Sequence, residues 1–267
     1  MENVTKINTD LDWPTWIIRW DRMQERYLVD RDERFAIIAR LIADTQDARP
    51  LILDLGCGTG SLMAALLEAI PGARAIGVDF DPTLLLLAEK RLAKFGNRAS
   101  VVVADLKEPG WVNALSPWER LGIGANAVVS ATALHWLSPK ELSTLYAHIV
   151  QLLHAGGIFL NADHVASDSP AVQGSWARHR EGLRYARVDP ASDDWDGFWQ
   201  AYLAALGPEA QATRQQALGD WQGVEDGMSL AWHFHHLRQA GFAAVDCFWR
   251  CDCDAIYGGV LRNTLAR

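Results

Sequence analysis

A chain of 267 residues with 49% hydrophobic and 22% charged residues can bury the core of one large domain and is not a disordered chain. Its 25 Lys+Arg against 33 Asp+Glu leave a net charge of −8, so no basic stripe exists at the level of the whole chain and no nucleic-acid partner is expected. No apolar run reaches the roughly 18 residues of a membrane span. The first ten residues lack the basic-then-apolar order of a secretory leader, so a cytoplasmic location with reduced Cys57, Cys247, Cys251 and Cys253 is expected.

The elements follow in chain order. Residues 1–49 read as helices: Trp16, Trp20, Met23 and Tyr27 form one helical stripe, and Phe35, Ile38 and Ile42 a second. Arg49-Pro50 breaks the pattern. Short apolar runs at Leu51–Leu55, Ala75–Val78, Ser100–Val103, Ala125–Ser130 and Gly157–Ala162 then read as strands. Between them lie helices through Met63–Ile70, Thr83–Lys94 and Leu142–Leu153; Asp81-Pro82 supplies an N-cap and a proline at the first turn of the second. Strands alternating with helices predict a doubly wound, mostly parallel α/β sheet.

Residues 165–226 interrupt this rhythm. They carry Trp176, Trp195, Trp199 and Trp221 among many charges and read as a helical insertion, with Ser192 capping a helix over Asp193–Leu206. A helix over Leu230–Ala240, closed by Gly241, and strand-like content over Phe242–Tyr257 restore the sheet pattern. The expected organisation is therefore an N-terminal helical lid (1–49), an α/β core (50–164 and 227–267) and a substrate-side insertion (165–226). The chain holds 12 Trp, which points to an aromatic-lined cavity beside ordinary core packing.

The chemistry begins at LILDLGCGTG, Leu51–Gly60. A strand ends at Asp54, and Gly56, Gly58 and Gly60 lead into a helix. Such glycines let the backbone approach a ligand, and the helix start offers free N–H groups. Asp79 ends the next strand, 79 − 60 = 19 residues on, where a carboxylate can hold the hydroxyls of a ribose. Together these point to an adenosine-containing ligand. A dinucleotide fingerprint would place its third glycine one residue later, where Ser61 stands. That spacing weighs against a nicotinamide-dependent oxidoreductase, the rival enzyme reading. A non-catalytic regulator that keeps the nucleoside site is the rival outside enzymes.

This G-x-G-x-G, with Asp54 two residues before it, resembles the first motif of class I S-adenosylmethionine-dependent methyltransferases. Gly77–Pro82 (GVDFDP), Val102–Leu106 (VVADL) and Leu152–Leu160 (LLHAGGIFL) resemble the family's later motifs, in order. The resemblance implies a seven-stranded sheet of the Rossmann-like methyltransferase fold and S-adenosylmethionine as cofactor. Gly56, Cys57, Gly58 and Gly60 would border its methionine portion, with Asp54 orienting that loop or the amino group. Asp79 would hold the ribose, Phe80 and Leu106 would flank the adenine, Asp105 would meet its amine, and Ala131 would lie beside it. At Ser130–Leu137 the chain reads SATALHWL, without the Pro-Pro-aromatic sequence of DNA amino-methyltransferases. Its Leu-His-Trp is similar to small-molecule enzymes of the trans-aconitate type. A small-molecule acceptor is thus expected, methylated on O or N by in-line displacement. His135 would be its base or positioning group, and Trp136, Trp195 and Trp199 would contact it. No metal is expected: Asn161-Ala-Asp163 is too few acids, and Cys247, Cys251 and Cys253 with His233, His235 and His236 lack zinc-ligand spacing.

Overall fold

A computed structural model of the chain describes residues 7–28, 30–115, 124–186, 189, 191–219 and 227–263. Trp221 and the rest of 220–226 lie outside these residues.

Seven strands form one sheet: β1 (Leu51–Leu55), β2 (Arg74–Asp79), β3 (Ala99–Val103), β4 (Ala125–Ala131), β5 (Leu153–His164), β6 (Ala244–Cys251) and β7 (Asp254–Val260). Their order is β3-β2-β1-β4-β5-β7-β6. The first five run parallel, with Leu53 opposite Ile76 and Val128, while β7 is antiparallel to both β5 and β6. The strand-like run Phe242–Tyr257 is thus a hairpin of two strands; Asp252 turns it at φ 50°. β5 is longer than the sequence pattern suggested and carries Asn161, Asp163 and His164 beyond the glycine pair.

Helices cover both faces. On one, α2 (Arg31–Thr45), α3 (Ser61–Ala69) and α4 (Pro82–Leu92) join Ile38, Ile42, Met63 and Leu66 to Ile52, Ala127 and Val129. On the other, α5 (Pro139–Leu152) and α9 (Leu230–Ala240) join Leu145, Ile149 and Leu237 to Leu53, Leu55 and Val128. The two-residue alternation of a strand sends Ile52 to the first face and Leu53 to the second. Each fully buried aliphatic side chain contributes about 1.5–3 kcal/mol. The sequence marked α4 accurately: the Asp81 side chain accepts from the Thr83 and Leu84 N–H groups. It also placed Gly241, which closes α9 at φ 119°.

The insertion is helical: α6 (Pro170–Ala186), α7 (Trp195–Leu206) and α8 (Pro208–Leu218). Asp194, not Ser192, caps α7, accepting from Gly197 N at 2.8 Å, so that helix starts at Trp195. Ser192 is held instead by the Asp189 carbonyl. A third apolar cluster unites Trp13, Trp16 and Trp20 of α1 (Trp13–Tyr27) with Phe198, Trp199 and Tyr202 of α7, over Leu87 of α4. Arg19 locks the two segments together through Asp193 at 2.8 Å. The helix before the sheet and the helical segment between β5 and β6 therefore meet above the carboxyl edge of the sheet, where open α/β sheets bind ligands.

Candidate active site

The loop after β1 is shaped by its glycines. Gly56, Gly58 and Gly60 stand at φ 68°, 52° and 72°, a region costly for other residues. At Gly56 a Cβ would also lie 2.4 Å from the Ala133 Cβ, so the loop and the turn after β4 touch only because no side chain intervenes. The Gly56 and Cys57 N–H groups donate to the Val78 carbonyl at 2.8 and 3.0 Å. Gly58 N donates to Asp79 Oδ2 at 2.8 Å, and Asp81 N to Asp79 Oδ1 at 2.9 Å. Asp79 therefore ties the glycine loop to the β2–α4 turn.

Two carboxyls here are buried with strongly shifted acidity. Burial, with the neighbouring Asp79 charge, raises Asp54 to about 8. Both Asp54 oxygens are buried without a hydrogen-bond partner. Burial raises Asp79 to about 6, against the pull of the backbone N–H groups of Asp81 and Gly58. Burial also pushes the Cys57 thiol well up, with Asp79 and Asp54 adding to it, so that sulfur is no nucleophile. A buried carboxyl without partners is a place built for a cationic ligand group.

These residues open onto one cavity of about 680 Å³. Asp54, Gly56, Cys57, Gly58, Asp79, Phe80, Asp105, Leu106, Ala131, His135, Trp136, Trp195 and Trp199 all line it. Gly60 does not: it precedes α3 and packs against Leu92 and Ala88. Trp199 is largely a core residue, 6% exposed, with the Arg214 guanidinium 3.5 Å from its ring centroid. Arg214 in turn pairs with Asp81 at 2.9 Å.

The structure adds residues that sequence reasoning missed. His135 Nδ1 meets Asp163 Oδ1 at 2.6 Å, and the His135 backbone N–H donates to Asp163 Oδ2 at 3.0 Å. Burial alone would raise Asp163; the charge and hydrogen bond of His135, with His164, hold it well below the usual carboxylate range. The His164 ring lies 5.0 Å from that of His135, with Nδ1 on Asp254 at 2.8 Å. Arg31, Arg180 and Arg184 also line the cavity. Arg31 is committed to Asp21 at 3.3 Å, but no carboxylate among the described residues pairs with Arg180 or Arg184. Asp163 looked like part of an insufficient metal set; its real partner comes from another strand end 28 residues away. Arg180 and Arg184 sit at i, i+4 on α6, a spacing legible in the sequence once the helix is assigned.

Among the described residues, Cys247, Cys251 and Cys253 do not join His233, His235 and His236 in one ligand cluster. His233 Nδ1 bonds the Tyr146 hydroxyl at 2.8 Å, and the four cysteines are free. His164, Cys253 and Asp254 do place ligand atoms within 4.8 Å of one another. Asp254, however, is already shared between His164 and the buried Arg34 cation at 3.4 Å.

Comparison with known proteins decides the family. Residues 52–157 match the family described as Methyltransferase domain. The chain is 30% identical over 254 residues to the trans-aconitate 2-methyltransferase of Azoarcus sp., covering 89% of this chain and 90% of that protein. The chain belongs to the class I S-adenosylmethionine-dependent methyltransferases. It is also 30% identical over 204 residues to the carboxy-S-adenosyl-L-methionine synthase of Shewanella amazonensis, covering 75% of this chain and 71% of that protein. An O-methyltransferase family protein from Burkholderia thailandensis shares the fold, with a TM-score of 0.55, 16% identity and coverage of 94% and 70% of the two chains. This methyltransferase is thus an enzyme that uses S-adenosylmethionine, which replaces both the nicotinamide and the non-catalytic readings. No helix among its described residues is long and apolar enough to cross a membrane.

Proposed function

We propose that this methyltransferase acts on a small carboxylic acid and forms its methyl ester. The observation that carries the reading is the pair Arg180 and Arg184, two guanidinium groups without carboxylate partners among the described residues, lining the same cavity as Asp54 and His135. Guanidinium forks match carboxylate geometry and are the usual means of holding a polyanion. The similarity to trans-aconitate 2-methyltransferase supports the same acceptor class.

The cofactor fits the other end. Asp54, buried and unpartnered, suits the ammonium group of the methionine portion, and the glycine loop leaves room for its chain. Asp79 holds the ribose, Phe80 and Leu106 flank the adenine, and Asp105 receives its amine. Bound there, S-adenosylmethionine supplies a methyl carbon on a sulfonium, open to in-line displacement. A carboxylate oxygen already carries its lone pair at neutral pH and needs no base. The protein's part is alignment and exclusion of water. His135, fixed by Asp163 through Nδ1, keeps Nε2 to position the acceptor. Trp136 and Trp195 wall the approach, while Trp199 and Arg214 brace the wall. Residues 1–49 and 165–226 act as the cover, and 50–164 with 227–267 as the cofactor-binding core.

A second reading rests on the 2.6 Å His135–Asp163 contact, which is also the layout of a base backed by a carboxylate. A hydroxyl acceptor would then give its proton to His135 Nε2. The test is a steady-state comparison of wild type and Arg180→Ala with trans-aconitate and related di- and tricarboxylates. The carboxylate reading expects KM to rise about tenfold or more in the variant, with S-adenosylhomocysteine affinity unchanged. Turnover of phenols or amines only, insensitive to Arg180, would refute it.

A further inference from the structure

β5 ends on two polar residues that the sheet sends to opposite faces. Asp163 shares a face with Asn161, whose Nδ2 donates to the Tyr257 hydroxyl at 2.8 Å on the side of α5 and α9. His164 shares the other face with Asp254, its register partner on β7, and Asp254 in turn meets Arg34 of α2. His135, in the turn after β4, reaches Asp163, and the two imidazole rings stand 5.0 Å apart between centroids. Two histidine–carboxylate pairs thus converge from opposite faces at the carboxyl edge of the sheet, and both rings line the main cavity.

The carboxylates commit both rings alike. A carboxylate only accepts, so each Nδ1 carries a hydrogen for its aspartate, at 2.6 Å for His135 and 2.8 Å for His164. Neither Nε2 has a hydrogen-bond partner among the described residues, and neither is buried, unlike the Nε2 of His233. Stability does not account for the support behind His164. Arg34 is 1% exposed, and its contact with Asp254 is 3.4 Å long. A buried ion pair adds little over well-packed apolar side chains. Here it fixes the tautomer and the orientation of a ring that lines a ligand cavity.

We infer that His164 is a second acceptor-binding residue of this methyltransferase, with Nε2 on a carboxylate oxygen of the acceptor beside His135. It takes this role on the carboxylic-acid reading proposed above. A bound carboxylate also only accepts, so the ring that holds it carries a hydrogen on each nitrogen, and its charge lies between Asp254 and the acid. Around the ring stand Asp254 with Arg34 behind it, Asp163 with His135, and the Cys253 thiol, whose pKa burial pushes up. Arg180 and Arg184 line the same cavity. Asp163, Asp254 and the acid itself offset the imidazolium, Arg34 and the guanidinium pair.

Two substitutions separate the two nitrogens of the ring. His164→Asn places an amide nitrogen near the Nδ1 position and keeps a donor for Asp254. His164→Gln reaches the Nε2 position and gives up that bond. Calorimetry on the full chain with S-adenosylhomocysteine bound uses trans-aconitate, succinate and acetate as probes. His164→Asn should weaken the best-bound acid about tenfold and His164→Gln about threefold or less, since only the latter keeps a donor at the cavity. Affinity for S-adenosylhomocysteine should stay the same in both. The reverse order would mean that His164 only braces Asp254, and it would overturn the inference, as would wild-type affinity in both variants. Losses of equal size are decided by ring-labelled histidine in the wild-type complex. There the His164 Nε2 resonance should shift saturably with the acid, and a resonance that stays still while the acid binds would overturn the inference. Acid binding that ignores His164 leaves the carboxylic-acid reading intact, whereas binding of none of the three acids would overturn both.

Discussion

Replacing Asp54 by Asn should stabilise the unliganded enzyme while weakening its cofactor binding. Asp54 is 1% exposed, both its oxygens lack partners, and its acidity is moved from 3.8 to about 8. The folded protein thus keeps a proton that the unfolded chain releases near pH 4. Stability from this group is whole below that pH, declines as pH rises, and is fully lost above about 8. Each pH unit in the window costs about 1.4 kcal/mol, so at pH 7 the loss is about 4 kcal/mol. Asn does not titrate, so the stability gap between variant and wild type should widen by about 1.4 kcal/mol per pH unit from about 4 to 8 and then level off. Urea unfolding of both proteins across pH 5–9 reads this directly. The Asp79 titration is common to both, since burial is the leading cause of its shift. S-adenosylhomocysteine should raise the wild-type midpoint more than the variant's, because a ligand stabilises the state that binds it. A gap that did not change with pH would refute the claim that Asp54 is an unpaired buried carboxyl. A variant that bound cofactor as tightly as wild type would remove Asp54 from the site.

Asp79→Ala should weaken S-adenosylhomocysteine binding by roughly 2–4 kcal/mol in calorimetry, since ribose contacts and the anchor of Gly58 are lost together; unchanged affinity would make the acid purely structural. Asp163→Asn should lower turnover about tenfold or more while leaving cofactor affinity intact, as a misplaced His135 would. Because Asp163 is held well below the usual range, wild type should also lose stability as pH falls below about 4, and the Asn variant should lose less. Trp195→Ala should raise the acceptor KM with a small effect on folding, whereas Trp199→Ala should cost about 3–5 kcal/mol of stability in denaturant unfolding; equal behaviour of the two would contradict their different burial.

The core of this fold was legible because its signals are local. The glycine loop, the Asp81-Pro82 cap and the Gly241 stop each depend on backbone conformations that few residues adopt, so sequence alone placed them. One end of the cavity was readable for the same reason: Asp54 and Asp79 stand at the ends of β1 and β2 and Asp105 just past β3, and all three line it. The opposite end of the cavity was not. His135 and Asp163 come from different strand ends, and Arg180 and Arg184 come from the insertion, whose helices carry no motif. Ser192 and Asp194 are both competent caps, and only tertiary packing of Trp195 and Phe198 selects between them. Trp199 looked like a substrate contact because Trp favours pockets, yet its ring is mostly sealed against Trp20, Phe198 and Tyr202. The grouping of Cys253 with His164 and Asp254, and the pairing of His164 with Asp254 across β5 and β7, had no signal in sequence order.

The most direct measurement is the chemical nature of the transferred methyl group. The enzyme is incubated with methyl-labelled S-adenosylmethionine and a panel of small carboxylic acids, and the isolated product is treated with mild alkali. A methyl ester releases its label as volatile methanol, whereas an ether or a methylated amine keeps it. Alkali-labile label that depends on Arg180 is the expected result. Label that stays with the product after alkali would contradict the carboxylic-acid acceptor and transfer the case to a hydroxyl or amine served by His135.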